Sequence, residues 1–294
     1  MPKTHAEAEI FSQPEIWEQA IALAPKVANL LPKKGERVAF VGCGTSWFMS
    51  QISANLRESL GLGESDAFTA SEYYYGRKYD RIVAITRSGT TTEVIDFLKK
   101  IQGQVPTVVI TAVAGSPVTE YADETILLDF ADEESVLQTR YATAVLALLR
   151  THYGQDLTEV VAQGRKWLAE PLDPELLDVE QISFLGRGWT VGFAQEAALK
   201  TRESSQFWAE AYPAMDYRHG PMSIAQKGRA VWMFGDAPEG LAKEVAGTGA
   251  LWVHSNDDPM AHLVYAQRVA VAISQARGLD TDNPRGLSRS IILH

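Results

Sequence analysis

Apolar residues recur at helical spacing between Ile10 and Leu31, at Ile16, Ala20, Leu23, Val27, Leu30 and Leu31, until Lys33-Lys34-Gly35 breaks the pattern. That spacing predicts a helix over the stretch. The pattern then changes. Val38-Ala39-Phe40-Val41 is apolar throughout and runs into Gly42-Cys43-Gly44-Thr45-Ser46, after which helical spacing returns as far as about Leu60. Arg81–Thr86, Thr107–Thr111 and Thr125–Leu128 read as further strands, and Glu93–Ile101 as a helix. Short all-apolar strands alternating with helices predict an α/β fold whose parallel sheet is covered on both faces.

The pattern also repeats. Phe40-Val41-Gly42-Cys43-Gly44 returns as Phe184-Leu185-Gly186-Arg187-Gly188. Arg81-Ile82-Val83-Ala84-Ile85 is echoed by Arg229-Ala230-Val231-Trp232-Met233, and Val108–Thr111 by Leu251-Trp252-Val253-His254. Three strand cues in one order, at nearly constant offset, predict two similar α/β halves. The boundary falls in Tyr153–Asp178, which holds Gly154, Pro171, Pro174 and a helical piece. We place the halves at 1–160 and 161–294. The tail after Asp280 reads as irregular, ending in an apolar strand or strap at Ile291-Ile292-Leu293.

Composition narrows the classes. With 294 residues, 46% hydrophobic and 22% charged, the chain can bury a core without disulfide or metal staples. Cys43 is its single cysteine, which excludes an intrachain disulfide and argues against a cysteine-based metal site. Lys and Arg number 27 against 37 Asp and Glu, so the net charge is −10. Such a chain is poorly suited to nucleic acid or anionic lipid. No apolar run approaches the ~20 residues of a membrane span, and no signal-peptide pattern opens the chain. The expectation is a soluble cytoplasmic protein in which any positive potential for an anionic ligand is local.

Two loops suit a phosphate. Gly42–Ser46 ends a strand and opens a helix, where glycines admit a close anion and the helix start offers free N–H groups. Thr86-Arg87-Ser88-Gly89-Thr90-Thr91-Thr92 gathers five hydroxyls, a glycine and a guanidinium between strand and helix. Either loop alone reads equally as helix capping. Two of them after successive strands would meet at the carboxyl edge of one sheet, where α/β folds bind ligands, and this favours phosphate. Neither is a Walker A or a dinucleotide fingerprint. The later copy has Trp189 in place of Thr45, which predicts a different purpose for it.

Acid–base chemistry is suggested further on. Glu196, Lys200 and Glu203 share one face of a helix expected over Val191–Phe207. That stripe also fits a solvated salt-bridge face, but the apolar residues around it argue for burial with partners. His219 precedes Gly220-Pro221, a turn signal, and fits either a general acid/base or a surface histidine. The remaining histidines show no metal-ligand spacing.

Taken in order, Gly42–Ser46, Thr86–Thr91, Phe184–Gly188, Glu196–Glu203, Ala209–Tyr212, His219–Pro221, Asp280–Ser288 and the opening Glu9–Glu15 resemble blocks of the sugar isomerase (SIS) domain family. The resemblance is closer to the isomerase half of glucosamine-6-phosphate synthase, and it covers nearly the whole chain. It implies two tandem SIS domains, each a five-stranded parallel sheet between helices in a flavodoxin-like three-layer αβα arrangement, assembled as a homodimer with shared active sites. It implies a sugar phosphate held by Gly44, Thr45, Ser46, Thr86, Arg87, Ser88 and Thr91. Glu203 matches the proton-transfer base, Lys200 a lysine that supports the open-chain sugar, and His219 a ring-opening histidine contributed by the partner subunit. Gln138, Glu196 and Arg289 are further substrate-site candidates. No metal or other cofactor is implied. Arg87 replaces a glutamine of the synthase. Arg289 replaces a tail lysine able to form a Schiff base, a role a guanidinium does not fill. Few residues precede the first strand, so a glutaminase domain is not expected within this chain.

These matches imply ring opening followed by C1/C2 proton transfer on a hexose or amino-hexose 6-phosphate. Three outcomes stay open: amino-sugar phosphate deamination, which the tail and the missing glutaminase favour, aldose–ketose isomerisation, and fructosamine phosphate cleavage. A non-catalytic sugar-phosphate sensor is the competing class.

Overall fold

We describe the chain from a computed structural model, over residues 3–293. In chain order the helices are α1 (His5–Phe11), α2 (Gln13–Leu23), α3 (Thr45–Ser59), α4 (Thr92–Ile101), α5 (Arg140–His152), α6 (Thr158–Ala169), α7 (Pro174–Leu177), α8 (Val191–Ser205), α9 (Leu241–Thr248) and α10 (Pro259–Ala276). The strands are β1 (Val38–Gly42), β2 (Ser65–Thr69), β3 (Arg81–Ile85), β4 (Thr107–Thr111), β5 (Glu124–Leu127), β6 (Gln181–Gly186), β7 (Ala209–Pro213), β8 (Arg229–Met233) and β9 (Leu251–His254). No described helix is long and apolar enough to cross a membrane.

The single helix expected over Ile10–Leu31 is instead two. It breaks at Ser12, with Pro14 in the first turn of α2, and stops at Leu23 because Pro25 cannot continue the N–H ladder. Packing divides the chain into two compact units. The N-terminal unit holds residues 12–134, 138–157 and 288–293; the C-terminal unit holds residues 3–11, 135–137 and 158–287. The sequence places one cut near residue 160, whereas the units interleave short segments. α1 packs against α10, with Ala6 and Ile10 buried, and polar bonds add to that. The Asp282 carboxylate accepts from the His5 and Ala6 N–H groups at 3.0 and 2.8 Å, and Glu9 accepts from the Ser135 N–H at 3.2 Å, tying α1 into the C-terminal unit.

In the N-terminal unit five parallel strands lie in the order β2-β1-β3-β4-β5. Alternate residues of the buried strands face opposite layers. Ala39, Val41, Ile82, Ala84 and Val109 pack with Val94, Phe97 and Leu98 of α4. The other face is covered by α3, against which α5 packs. Because β1 lies between β2 and β3, the chain order reverses there, and the loops leaving β1 and β3 border the crevice typical of ligand binding.

The C-terminal unit repeats the order as β7-β6-β8-β9, all parallel. All three echoed segments are strands here. The five strands expected are four, a correction with a local cause. After β9, Ser255–Asp258 leads straight into α10, and the Asp258 carboxylate caps it by accepting from the Met260 N–H at 2.9 Å. Ile291–Leu293 is a strap rather than a strand.

Candidate functional site

In the N-terminal unit the turn after β1 is set by two glycines. A Cβ on Gly42 would lie 2.6 Å from the Ser46 carbonyl carbon, so only glycine lets the strand meet the helix this closely. Gly44, at φ +56°, turns the backbone into α3. Thr45 and Ser46 are buried in the first turn, and the Ser46 hydroxyl donates to Gln138 Oε1 at 3.3 Å. The turn after β3 is pinned by backbone: Ala112 N–H donates to the Arg87 carbonyl at 3.0 Å, as does the Thr111 hydroxyl at 3.1 Å. Ser88 Oγ accepts from the Thr90 hydroxyl at 2.9 Å.

Ser46, Thr86, Arg87, Ser88, Thr91, Gln138 and Arg289 line one small cavity of about 30 Å³, together with Cys43. Burial pushes the Cys43 thiol above its usual pKa. Gly44 and Thr45 shape the turn but are not among the lining residues.

Two residues that sequence reasoning missed organise this cavity. Glu133 is fully buried, and its carboxylate accepts from Arg87 Nη1 at 3.0 Å. It also accepts from the Thr139 N–H and hydroxyl and the Arg140 N–H, at 2.6, 2.9 and 2.8 Å, which places an anion at the start of α5. Arg87 is therefore neutralised by a buried partner. Anion attraction at the loop falls to hydroxyls and backbone N–H groups rather than to a bare cation. Asp132 pairs with Arg289, whose guanidinium also donates to the Glu133 carbonyl.

Through Arg289 the tail lies along the second loop. Arg87 Nη2 donates to the Arg289 carbonyl at 3.4 Å, the Thr92 N–H to the Ile291 carbonyl at 3.1 Å, and Ser290 Oγ sits 2.9 Å from Thr90 Oγ1. No sequence signal identifies Glu133, one of three consecutive acids, because burial rather than residue type distinguishes it.

In the C-terminal unit α8 carries the second group. Glu196 is 0% and Lys200 3% exposed, so the stripe is not a solvated face. Lys200 Nζ lies 3.7 Å from Glu196 Oε1 and hydrogen-bonds Glu203, whose side chain is 20% exposed. A buried ammonium thus spans one inaccessible carboxylate and one that a ligand can reach. His219 stands apart. It ends a 3₁₀ turn, Asp216–His219, is exposed, and among the described residues makes no hydrogen bond or ion pair with Glu203 or Lys200. The later glycine turn is self-satisfied: Thr190 Oγ1 accepts from the Arg187 N–H at 2.8 Å and donates to the Phe234 carbonyl at 2.9 Å. Among the described residues no cluster of three or more His, Cys, Asp and Glu is placed to hold a metal ion.

Residues 30–152 match the model of the SIS domain. A glutamine–fructose-6-phosphate aminotransferase (isomerizing) from Methanothermobacter thermautotrophicus is 25% identical over 94% of this chain. The match takes in 54% of that enzyme, so the chain spans about half the length of the curated relatives it matches. Among solved structures, glucosamine-6-phosphate deaminase from Thermotoga maritima aligns with a TM-score of 0.84 at 24% identity, over 99% of this chain and 100% of that one. The tagatose-6-phosphate ketose/aldose isomerase of Escherichia coli aligns at 0.79 and 19% identity, over 99% and 97%. These structures share the fold. Residues 30–152 are thus similar to the SIS domain, and most of the chain is similar to the isomerizing aminotransferases.

Proposed function

We propose that the chain is an enzyme of the phosphosugar-isomerase kind that acts on an amino-hexose 6-phosphate, opening the ring and moving a proton between C1 and C2. In this reading the C-terminal unit is a second copy of the SIS domain, and the protein works as a cytoplasmic homodimer. The observation that carries it is the α8 group. A carboxylate open to ligand, Glu203, is bonded to a buried ammonium, Lys200, on a largely buried helix. Groups so expensive to bury persist where chemistry uses them.

The hydroxyls of Ser46, Thr86, Ser88 and Thr91 hold the phosphate, and that binding energy fixes the carbon chain. His219 moves a proton between O1 and O5 to open the ring. Glu203 takes the C2 proton of the open-chain aldehyde, giving an enolamine, and returns a proton to C1. The product is an imine at C2, and its hydrolysis by one water releases ammonia and leaves the ketose phosphate. Lys200 stabilises the charge that develops on the oxygen at C1. A hydroxyl at C2 in place of the amine would turn the same transfer into aldose–ketose isomerisation.

The test is ¹H NMR in D₂O with glucosamine-, galactosamine-, glucose- and fructose-6-phosphate. Loss of the C1 or C2 proton signal with ammonia release from one amino sugar is the expected result. Exchange without ammonia would replace deamination by isomerisation. Binding without any exchange would replace the enzyme by a sensor. Glu203→Gln should slow exchange by about 10²–10⁴-fold while sugar phosphate still binds.

A further inference from the structure

The N-terminal unit carries a second cavity of about 350 Å³, sharing no lining residue with the phosphate-loop cavity and within the ~300–1,000 Å³ range of small-molecule sites. Tyr73, Tyr75, Tyr79, Arg77, Lys78 and Ile101 are among its lining residues. The aromatic part is held in place. Tyr73 is buried, with its ring edge-on to Phe97 of α4 at 4.7 Å and to Tyr75 at 5.2 Å between centroids. Tyr75 itself is 51% exposed, so a supported ring keeps much of its surface in water.

The cationic part divides in two. Arg77 is tied to Asp66 at 3.0 Å, and the Tyr79 hydroxyl donates to the same carboxylate at 2.6 Å. Lys78 and Lys100 are exposed, and among the described residues neither joins a carboxylate in an ion pair. Lys100 Nζ instead sits 5.5 Å from the Tyr75 ring centroid. In a chain of net charge −10, the Lys78 ammonium lining the cavity and the Lys100 ammonium over the Tyr75 ring form a local positive, aromatic surface.

A face of this kind offers stacking at little entropic cost, because the ring is already fixed by its neighbours. The apolar edge at Ile101 excludes water from one side, and the ammonium groups ask for an anion. We propose that this cavity binds a planar aromatic ring bearing an anionic group, and that mononucleotides are the class it fits. The base stacks on Tyr75, and the phosphate meets Lys78 and Lys100. This site is independent of the sugar-phosphate reading above, which stands or falls separately.

The experiment is calorimetric titration of the full chain with AMP and UMP, with adenosine and ribose 5-phosphate as the half-ligands. Saturable binding of at least one nucleotide is expected, with both half-ligands at least about tenfold weaker. Tyr75→Ala and the double variant Lys78→Ala/Lys100→Ala should each weaken nucleotide binding by about tenfold, with unchanged thermal unfolding. Ser88→Ala, in the phosphate loop, should leave it unaltered. Absence of saturable binding at millimolar nucleotide overturns the proposal. So does affinity that survives Tyr75→Ala, and so does affinity lost in Ser88→Ala, since the nucleotide would then be using the phosphate loop.

Discussion

Glu133 and Arg87 make the most consequential pair at the scale of single residues. Both are buried, at 1% and 2% exposed, and neither could be paired with the other from sequence. Arg87 stands out by its neighbours Thr86 and Ser88, whereas Glu133 is one acid in a run of three. Glu133→Gln keeps an oxygen for the Thr139 and Arg140 N–H groups but removes the charge opposite Arg87. Breaking a buried pair costs about 3–5 kcal/mol, whereas replacing both members with neutral groups costs far less. Urea unfolding should therefore show Glu133→Gln strongly destabilised and Glu133→Gln/Arg87→Gln recovering most of the loss. A double variant no better than the single would mean that the two charges are not coupled. His262 gives a second case. It is buried among Trp167, Trp232 and Phe234, and burial, aided by His254 and Lys166, lowers its pKa from 6.5 to about 3. Between those values the unfolded chain binds a proton that the folded one refuses. Stability therefore falls as pH drops from 6.5 toward 3, by up to about 1.4 kcal/mol per pH unit. His262→Leu should move the acid-unfolding midpoint, followed by tryptophan fluorescence, to lower pH.

Elements were legible where their burial was uniform. β1, β3 and β4 are apolar because both faces are covered, and their counterparts β6, β8 and β9 announced themselves by repetition. β2 and β7 were hidden. Ser65-Asp66-Ala67-Phe68-Thr69 is an edge strand, mostly half-buried, so its sequence carries no continuous apolar run. Ala209–Pro213 sits at the corresponding edge of the other sheet, and in the sequence Ala209–Tyr212 stood out only as a block of the resemblance, not as a strand. The missing fifth strand of the C-terminal unit could not be foreseen from the repeat, because the departure begins only at the Asp258 cap. The shared strand-to-helix turn, by contrast, is legible in both units and testable in both. A Cβ at Gly186 would fall 2.3 Å from the Thr190 carbonyl oxygen, as one at Gly42 would crowd Ser46. Gly42→Ala and Gly186→Ala should both lower the unfolding temperature. Only Gly42→Ala should also weaken sugar phosphate binding, by tenfold or more (~1.4 kcal/mol), because the Gly186 turn spends its hydroxyl internally on Phe234. Equal losses of binding in the two variants would assign the later turn a ligand role after all.

At the scale of the whole molecule, the acid–base groups of the C-terminal unit are the open question of assembly. Glu203 is fixed by Lys200, but His219 is exposed and shares no bond with either, and Met215 and Trp208 of the same unit are 49% and 48% exposed. If His219 is the ring-opening residue proposed, its exposure, in a unit that also exposes Met215 and Trp208, suits a residue that completes a site on a second copy of the chain. A two-fold dimer makes this quantitative. Glu203→Gln and His219→Asn chains, each inactive alone, should be mixed under mild denaturation and refolded. In heterodimers one site then carries both lesions and the other neither, so about one quarter of all sites regain both groups. Proton exchange from an amino-sugar phosphate in the mixture, at roughly that fraction of the parent rate, is the expected outcome. The control is a mixture of Glu203→Gln with Lys200→Ala: both residues lie on α8, so every site built on one chain's α8 keeps one lesion. That mixture should remain inactive if Glu203 and Lys200 act within one chain. Recovery there but not with His219→Asn would place the boundary between the copies elsewhere. If neither mixture recovers, although tagged chains co-purify as heterodimers, His219 serves the site of its own chain, and the exposed turn must close onto Glu203 when substrate binds.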